Sequence, residues 1–134
     1  KEIMNSLTHN PELGHITTFG GHPVNCVAAL TNINELLKHN LIDSVEKKGK
    51  LFEEIITHPS IIQIRRKGLL FAIELDSPET VQKVVEGCKS RGVLSFWFLS
   101  CPESFRIAPP LTISESEIKI SAEVIWEVIN SLEG

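Results

Sequence analysis

Two stretches of this 134-residue sequence carry side chains suited to holding anions. The first is Thr17-Thr18-Phe19-Gly20-Gly21, which leads through His22-Pro23 into a small-residue run, Val24-Asn25-Cys26-Val27-Ala28-Ala29-Leu30. A phosphate needs several donors at close range. Two hydroxyls supply them at the start of a helix, together with glycines that let a ligand approach the backbone N–H groups. The same residues also suit an ordinary helix entry capped by Thr or Gly. The second stretch is Phe105-Arg106-Ile107-Ala108-Pro109-Pro110-Leu111-Thr112-Ile113, an arginine in a short apolar strand halted by two prolines. A guanidinium is a planar fork that pairs bidentately with a carboxylate, and a rigid strand would hold that fork still. Taken alone, an arginine in a strand is more often solvated or salt-bridged.

Other chemistry-bearing residues have plainer explanations. Glu74, Asp76 and Glu79 could be paired carboxylates, but Glu74 falls on the opposite strand face from Phe71 and Leu75 and belongs to a solvated face. Phe96, Trp97 and Phe98 could stack on a cofactor ring, but an aromatic strand in a core is more common, and we assign them to the core. Cys26, Cys88 and Cys101 are scattered, without the CxxC spacing of a zinc or redox site, and fit free thiols in a reducing, cytoplasmic setting. The five histidines lack paired ligand spacing, so no metal is implied.

The elements that must position the two anion-holding stretches follow from periodicity. Val24, Val27, Ala28, Ile33, Leu36 and Leu37 predict a helix from the end of the first stretch to Asn40, with Pro23 tolerated in its first turn and Cys26, Ala28 and Ala29 suggesting close packing. Asn40 is a candidate cap for a second helix marked by Leu41, Ile42, Val45, Phe52, Ile55 and Ile56, which Pro59 ends. From Ile61 the period changes to that of strands: Ile61–Arg65, then Leu69–Leu75 with Phe71, Ile73 and Leu75 on one face. Ser77-Pro78 opens a helix with the stripe Val81, Val84, Val85 and Cys88. A strand over Val93–Leu99, the Arg106 strand and a last helix then follow. That helix opens on the capping box Ser114-Glu115-Ser116-Glu117 and carries the stripe Ile118, Ala122, Ile125, Ile129 and Leu132. The expected fold is α+β: a two-layer sandwich with a mostly antiparallel sheet of about four strands and helices on one face, preceded by two long helices.

Composition narrows the function. With 42% hydrophobic and 22% charged residues the chain is of the globular class. Its net charge of −4, with no concentrated basic face, argues against nucleic acid as a partner. No apolar run approaches the ~20 residues of a membrane span. The opening Lys1-Glu2-Ile3-Met4 lacks the progression of a leader peptide and reads as a cut within a longer protein.

The Thr17–Gly21 and Arg106–Leu111 stretches, in this order and with Gly68-Leu69-Leu70-Phe71-Ala72-Ile73-Glu74-Leu75 between them, resemble the C-terminal part of the class III aminotransferases, which depend on pyridoxal phosphate. The resemblance implies that residues 1–60 are the end of the large cofactor domain with its connecting helices, and that 61–134 are the small C-terminal α+β domain. It implies a homodimer acting on an amine or amino acid and a keto acid. Thr18 would reach the cofactor phosphate of the neighbouring subunit with Thr17 in support, and Arg106 would bind the substrate carboxylate. His22 stands where asparagine is frequent in the family. The lysine that forms the Schiff base and the aspartate that pairs with the pyridine nitrogen lie upstream in such enzymes. No catalytic residue is therefore expected within this chain. The alternative is a small α+β module that binds an amino acid or anion without catalysis. A Cys or Ser hydrolase lacks a partner histidine in a recognisable motif.

With no Schiff-base lysine, these 134 residues mixed with pyridoxal phosphate are expected to give no transamination above that of the free cofactor. A coupled keto-acid assay checks this, and turnover above the cofactor blank would refute it.

Overall fold

The computed structural model describes residues 2–8, 10, 14 and 16–132, in two compact units, residues 1–39 and 40–134. The first unit holds the short helix α1 (Glu2–Asn5), the Thr17–Gly21 turn and the long helix α2 (Pro23–Lys38). Pro23 occupies the first turn of α2, where its missing N–H costs nothing. The helix forms as its sequence predicts, but no residue of α2 is buried. The close packing expected at Cys26, Ala28 and Ala29 is thus not found in this structure. An apolar stripe buries only against a second layer, and the described residues of this unit supply none.

The second unit is the two-layer sandwich. Its elements are α3 (Leu41–Ile56), β1 (Gln63–Lys67), β2 (Leu70–Glu74), α4 (Pro78–Ser90), β3 (Phe96–Phe98), β4 (Cys101–Ile107) and α5 (Glu115–Asn130). The strands form one antiparallel sheet in the order β1-β2-β4-β3. The unit begins at Asn40, so α3, which lies ahead of the change in period at Ile61, packs with the sheet layer and against α5. Asn40 precedes α3 in a left-handed conformation and makes no side-chain cap.

Alternation decides which face is buried. In the central pair Phe71 stands opposite Ile107 and Ile73 opposite Phe105, and none of the four exceeds 5% exposure. Leu75, just past β2, joins them. Against this face lie Val81, Val84, Val85 and Cys88 of α4, Ile118, Ala122, Ile125, Val128 and Ile129 of α5, and Phe52 and Ile56 of α3. Each fully buried residue of this kind contributes about 1.5–3 kcal/mol of transfer free energy. Leu132, expected on the α5 stripe, lies beyond the end of the helix and is exposed.

Two helix starts, those of α4 and α5, behave as their sequences predict. Ser77 Oγ accepts from the Thr80 amide (3.2 Å), and Ser114 and Glu117 complete a reciprocal capping box (3.2 and 2.8 Å). The Ser114 amide (2.8 Å) and then its hydroxyl (2.7 Å), both donating to Glu117 Oε2, hold the Glu117 carboxyl below its usual range. Arg66 ties α3 to β1, donating to Glu46 (2.9 and 2.8 Å) and Glu53 (2.8 Å). Gly49 permits this approach: a Cβ there would stand 2.8 Å from both the Gly68 carbonyl oxygen and Arg66 Nη1.

The aromatic strand departs from expectation. Only Phe96–Phe98 pairs, with an irregularity between Trp97 and Phe98. Phe96 and Trp97 are 55% and 46% exposed rather than in the core. The reason is position: β3 is an edge strand, and Phe96 shares the face of Arg106, turned away from the helices.

Burial pushes the Cys88 thiol up from 9.0 to about 11. A raised folded value means that the folded state holds the proton more tightly, so this contribution is complete below pH 9 and is lost as the pH rises toward 11. The chain has no tyrosine to titrate alongside it. Urea unfolding is expected to lose about 1–3 kcal/mol across this window beyond any loss in Cys88→Ala. Equal losses in both proteins would contradict the assignment.

Candidate functional site

The Thr17–Gly21 turn is built by backbone hydrogen bonds. The Gly20 amide donates to the Thr17 carbonyl (3.1 Å), and the His22 amide donates to the Phe19 carbonyl (3.1 Å). Gly21 takes a positive φ of 75°, a conformation that costs an L side chain but not glycine. A Cβ on Gly20 would stand 2.2 Å from the Thr17 hydroxyl, so glycine there leaves the hydroxyl its present place in the turn. Among the described residues the amides of Thr18, Phe19 and Gly21 donate to no backbone carbonyl, and neither threonine hydroxyl has a hydrogen-bond partner. Thr17, Thr18, Gly20 and Gly21 are all exposed. Free hydroxyls and free amides gathered just ahead of a sixteen-residue helix form a donor set that fits a phosphate.

Arg106 is the next-to-last residue of β4, with its neighbours Phe105 and Ile107 facing the helices. The pleat therefore turns Arg106 to the outer face, opposite Ala72 on one side and Phe96 on the other. It is exposed and, among the described residues, makes no hydrogen bond or ion pair. A groove of about 400 Å³ beside it is lined by Phe96, Trp97, Phe98, Leu99 and Ser100.

Arg65 offers the contrast. It lies in the same cross-strand row, beyond Ala72, and both terminal nitrogens of its guanidinium are engaged. Nη1 donates to Gln63 Oε1 (2.6 Å) and pairs with Glu74, while Nη2 donates to Ser104 Oγ (3.1 Å) and approaches Cys101 Sγ (3.7 Å). The hydrogen bond with Glu74 is the first cause of the raised Arg65 pKa. Glu74 is thus an ion-pair partner on the outer face rather than a free acid or base.

Thr18 belongs to the first compact unit and Arg106 to the second. Neighbours that the sequence hid are Phe96 and the Arg65–Glu74 pair. Phe96-Trp97-Phe98-Leu99 is four apolar residues without alternation, the pattern of a buried strand, so no local signal marked it as an exposed edge. Among the described residues no group of three His, Cys, Asp or Glu side chains gathers as a metal site, and no helix is long and apolar enough to cross a membrane.

The Aminotransferase class-III family model matches residues 1–129. This chain belongs to the class III aminotransferases. A mitochondrial acetylornithine aminotransferase of Alnus glutinosa is 33% identical over 126 residues, which make up 89% of this chain and 27% of that protein. A Bacillus anthracis aminotransferase superposes with a TM-score of 0.80 at 29% identity, over 98% of this chain and 34% of its own. The ornithine aminotransferase of Toxoplasma gondii gives 0.83 at 29% identity, over 99% and 32%, in a structure described as having partial occupancy of PLP at the active site. The class III chain thus spans about a quarter to a third of the length of these relatives.

Because Arg106 makes no tie within the fold, Arg106→Ala is expected to leave urea-unfolding stability within about 0.5 kcal/mol. A loss above about 2 kcal/mol would make the residue a structural one.

Proposed function

We propose that this chain is the C-terminal part of a pyridoxal-phosphate-dependent aminotransferase. The intact enzyme moves an amino group between an amine or amino acid and a keto acid, as a homodimer and in the cytoplasm. The observation that carries the reading is Arg106: a guanidinium held on the central part of the sheet, exposed, and spared the ion pairs that occupy Arg65 and Arg66. An unpaired fork on a rigid strand is prepared for a carboxylate, with little to displace and little freedom to lose. The three cysteines are free, as a reducing compartment requires.

The bound cofactor would supply the electron sink of the reaction. This chain's part is to bind and orient. Thr18, with an exposed hydroxyl, and the amides of the Thr17–Gly21 turn donate to the cofactor phosphate, and Thr17 supports them by packing its hydroxyl against Gly20. We assign Thr18 to the phosphate bound by the neighbouring subunit. Arg106 fixes the substrate carboxylate within its own subunit, which sets the reacting carbon relative to the cofactor. In this reading residues 1–60 are the end of the large cofactor domain with its connecting helices, of which α3 packs on the small domain formed by 61–134, and the proton-shuttling lysine comes from outside this chain.

A mixed dimer of the intact enzyme tests the cross-subunit assignment. With Thr18→Ala on one chain and Arg106→Ala on the other, both changes fall in one site if Thr18 acts across the interface, and about half the activity remains. Near-complete loss in that split heterodimer would show that both residues serve their own subunit. In the homodimer, Thr18→Ala is expected to weaken cofactor retention by roughly 1–3 kcal/mol.

A further inference from the structure

The sheet has little hold on the segment that follows Arg106. The β4 ladder ends with Ile107 opposite Phe71, and Pro109 and Pro110 have no N–H to donate. Arg106 is thus one residue from the end of the paired strand, and its direction depends on where the next few residues are held. A tie to them comes from α3. Lys48 Nζ donates to the Leu111 carbonyl (2.7 Å), across 63 residues of sequence. Its neighbour Lys47 pairs with Glu115 (2.6 Å), the first residue of α5. We propose that Lys48 is a positioning residue for the reaction: by fixing Leu111 it fixes the end of β4, and with it the guanidinium of Arg106. The proposal rests on the assignment of Arg106 to the substrate carboxylate.

The lysine is mounted on a fixed support. Gly49, next to it, is buried and lets α3 lie against the β1–β2 turn, since a Cβ there would stand 2.8 Å from the Gly68 carbonyl oxygen. Arg66 holds the same stretch of helix to β1 through Glu46 and Glu53. That turn leads into the part of β2 that pairs with Ile107, so α3 is fastened at the end of the sheet where β4 stops. Lys48 is half-buried, and an ammonium donating to a carbonyl there makes a charge-assisted hydrogen bond in a lowered dielectric. The Leu111 side chain packs against the core while its carbonyl takes the lysine, so burial and backbone position are set by different partners. The Ile113 amide then turns the chain toward α5 by donating to the Pro110 carbonyl (3.0 Å). Releasing the Leu111 carbonyl frees the end of the strand, and a shift of about 1 Å in a group that orients substrate is enough to be felt in the rate.

The test is a double-mutant cycle in the intact enzyme, with one fixed amino donor and, as acceptor, whichever of pyruvate, glyoxylate and 2-oxoglutarate it turns over fastest. Lys48→Met keeps helix propensity and leaves Leu111 and Ile113 to pack on the core, so the variant is expected to fold. It is expected to lower kcat/KM about ten-fold, chiefly by raising KM, and Lys48→Arg, which keeps a charged donor, to restore most of that loss. Arg106→Gln alone should also lower kcat/KM, and in its background Lys48→Met should change the value by no more than about two-fold. A loss of the same size in both backgrounds, or one that Lys48→Arg does not relieve, would make Lys48 a structural residue and overturn the proposal. No loss in Lys48→Met would overturn it as well, and in all three cases Arg106 keeps its assignment if Arg106→Gln raises KM. If Arg106→Gln alone leaves kcat/KM unchanged, that assignment falls and the positioning role falls with it.

Discussion

The pairing of β2 with β4 is the contact on which the rest of the second unit depends. Those two strands are the centre of the sheet, and each contributes alternate residues to the core: Phe71 and Ile73 from one, Phe105 and Ile107 from the other. All three long helices of the unit close on that face. A strand with two neighbours of Arg106 locked inward has no choice about Arg106 itself. A slip of one residue in register would exchange the faces, burying a guanidinium and exposing a phenylalanine, and both costs oppose it. The same packing that stabilises the domain therefore aims its one unpaired arginine on this sheet.

Charge pairing then separates arginines that look alike in sequence. Arg66 is nearly buried and spans to Glu46 and Glu53 on α3, which raises its pKa, the Glu46 hydrogen bond first. Arg65 is held by Glu74 on the outer face. Arg106 has only Ala72 and Phe96 beside it. The first joins layers, the second neutralises the centre of the outer face, and the third is left for a ligand.

The Thr17–Gly21 turn obeys a different constraint. Its shape comes from local hydrogen bonds and a left-handed glycine, and the helix it precedes buries none of its apolar side chains in this structure. A turn of that kind presents hydroxyls and amides together with little help from a core. Its chemistry is accordingly more legible from residue type than from packing.

Local rules were enough for much of this protein. Ser77-Pro78 and the Ser114–Glu117 box placed two helix starts because caps are satisfied within four residues. The alternation around Phe71 and the stripes of α4 and α5 identified the core, and the spaced Thr-Thr-Phe-Gly-Gly and Arg-Ile-Ala-Pro-Pro motifs carried the family resemblance. Tertiary structure alone decided what depends on partners distant in the chain. It made β3 an edge strand, so that Phe96 and Trp97 are exposed although their residue types favour burial. It brought Arg65 to Glu74 and Ser104, and Phe96 to Arg106, through pairings that no local period encodes. It also sorted the arginines, because whether a guanidinium is free depends on which strands lie beside it, and strand order is a property of the whole sheet.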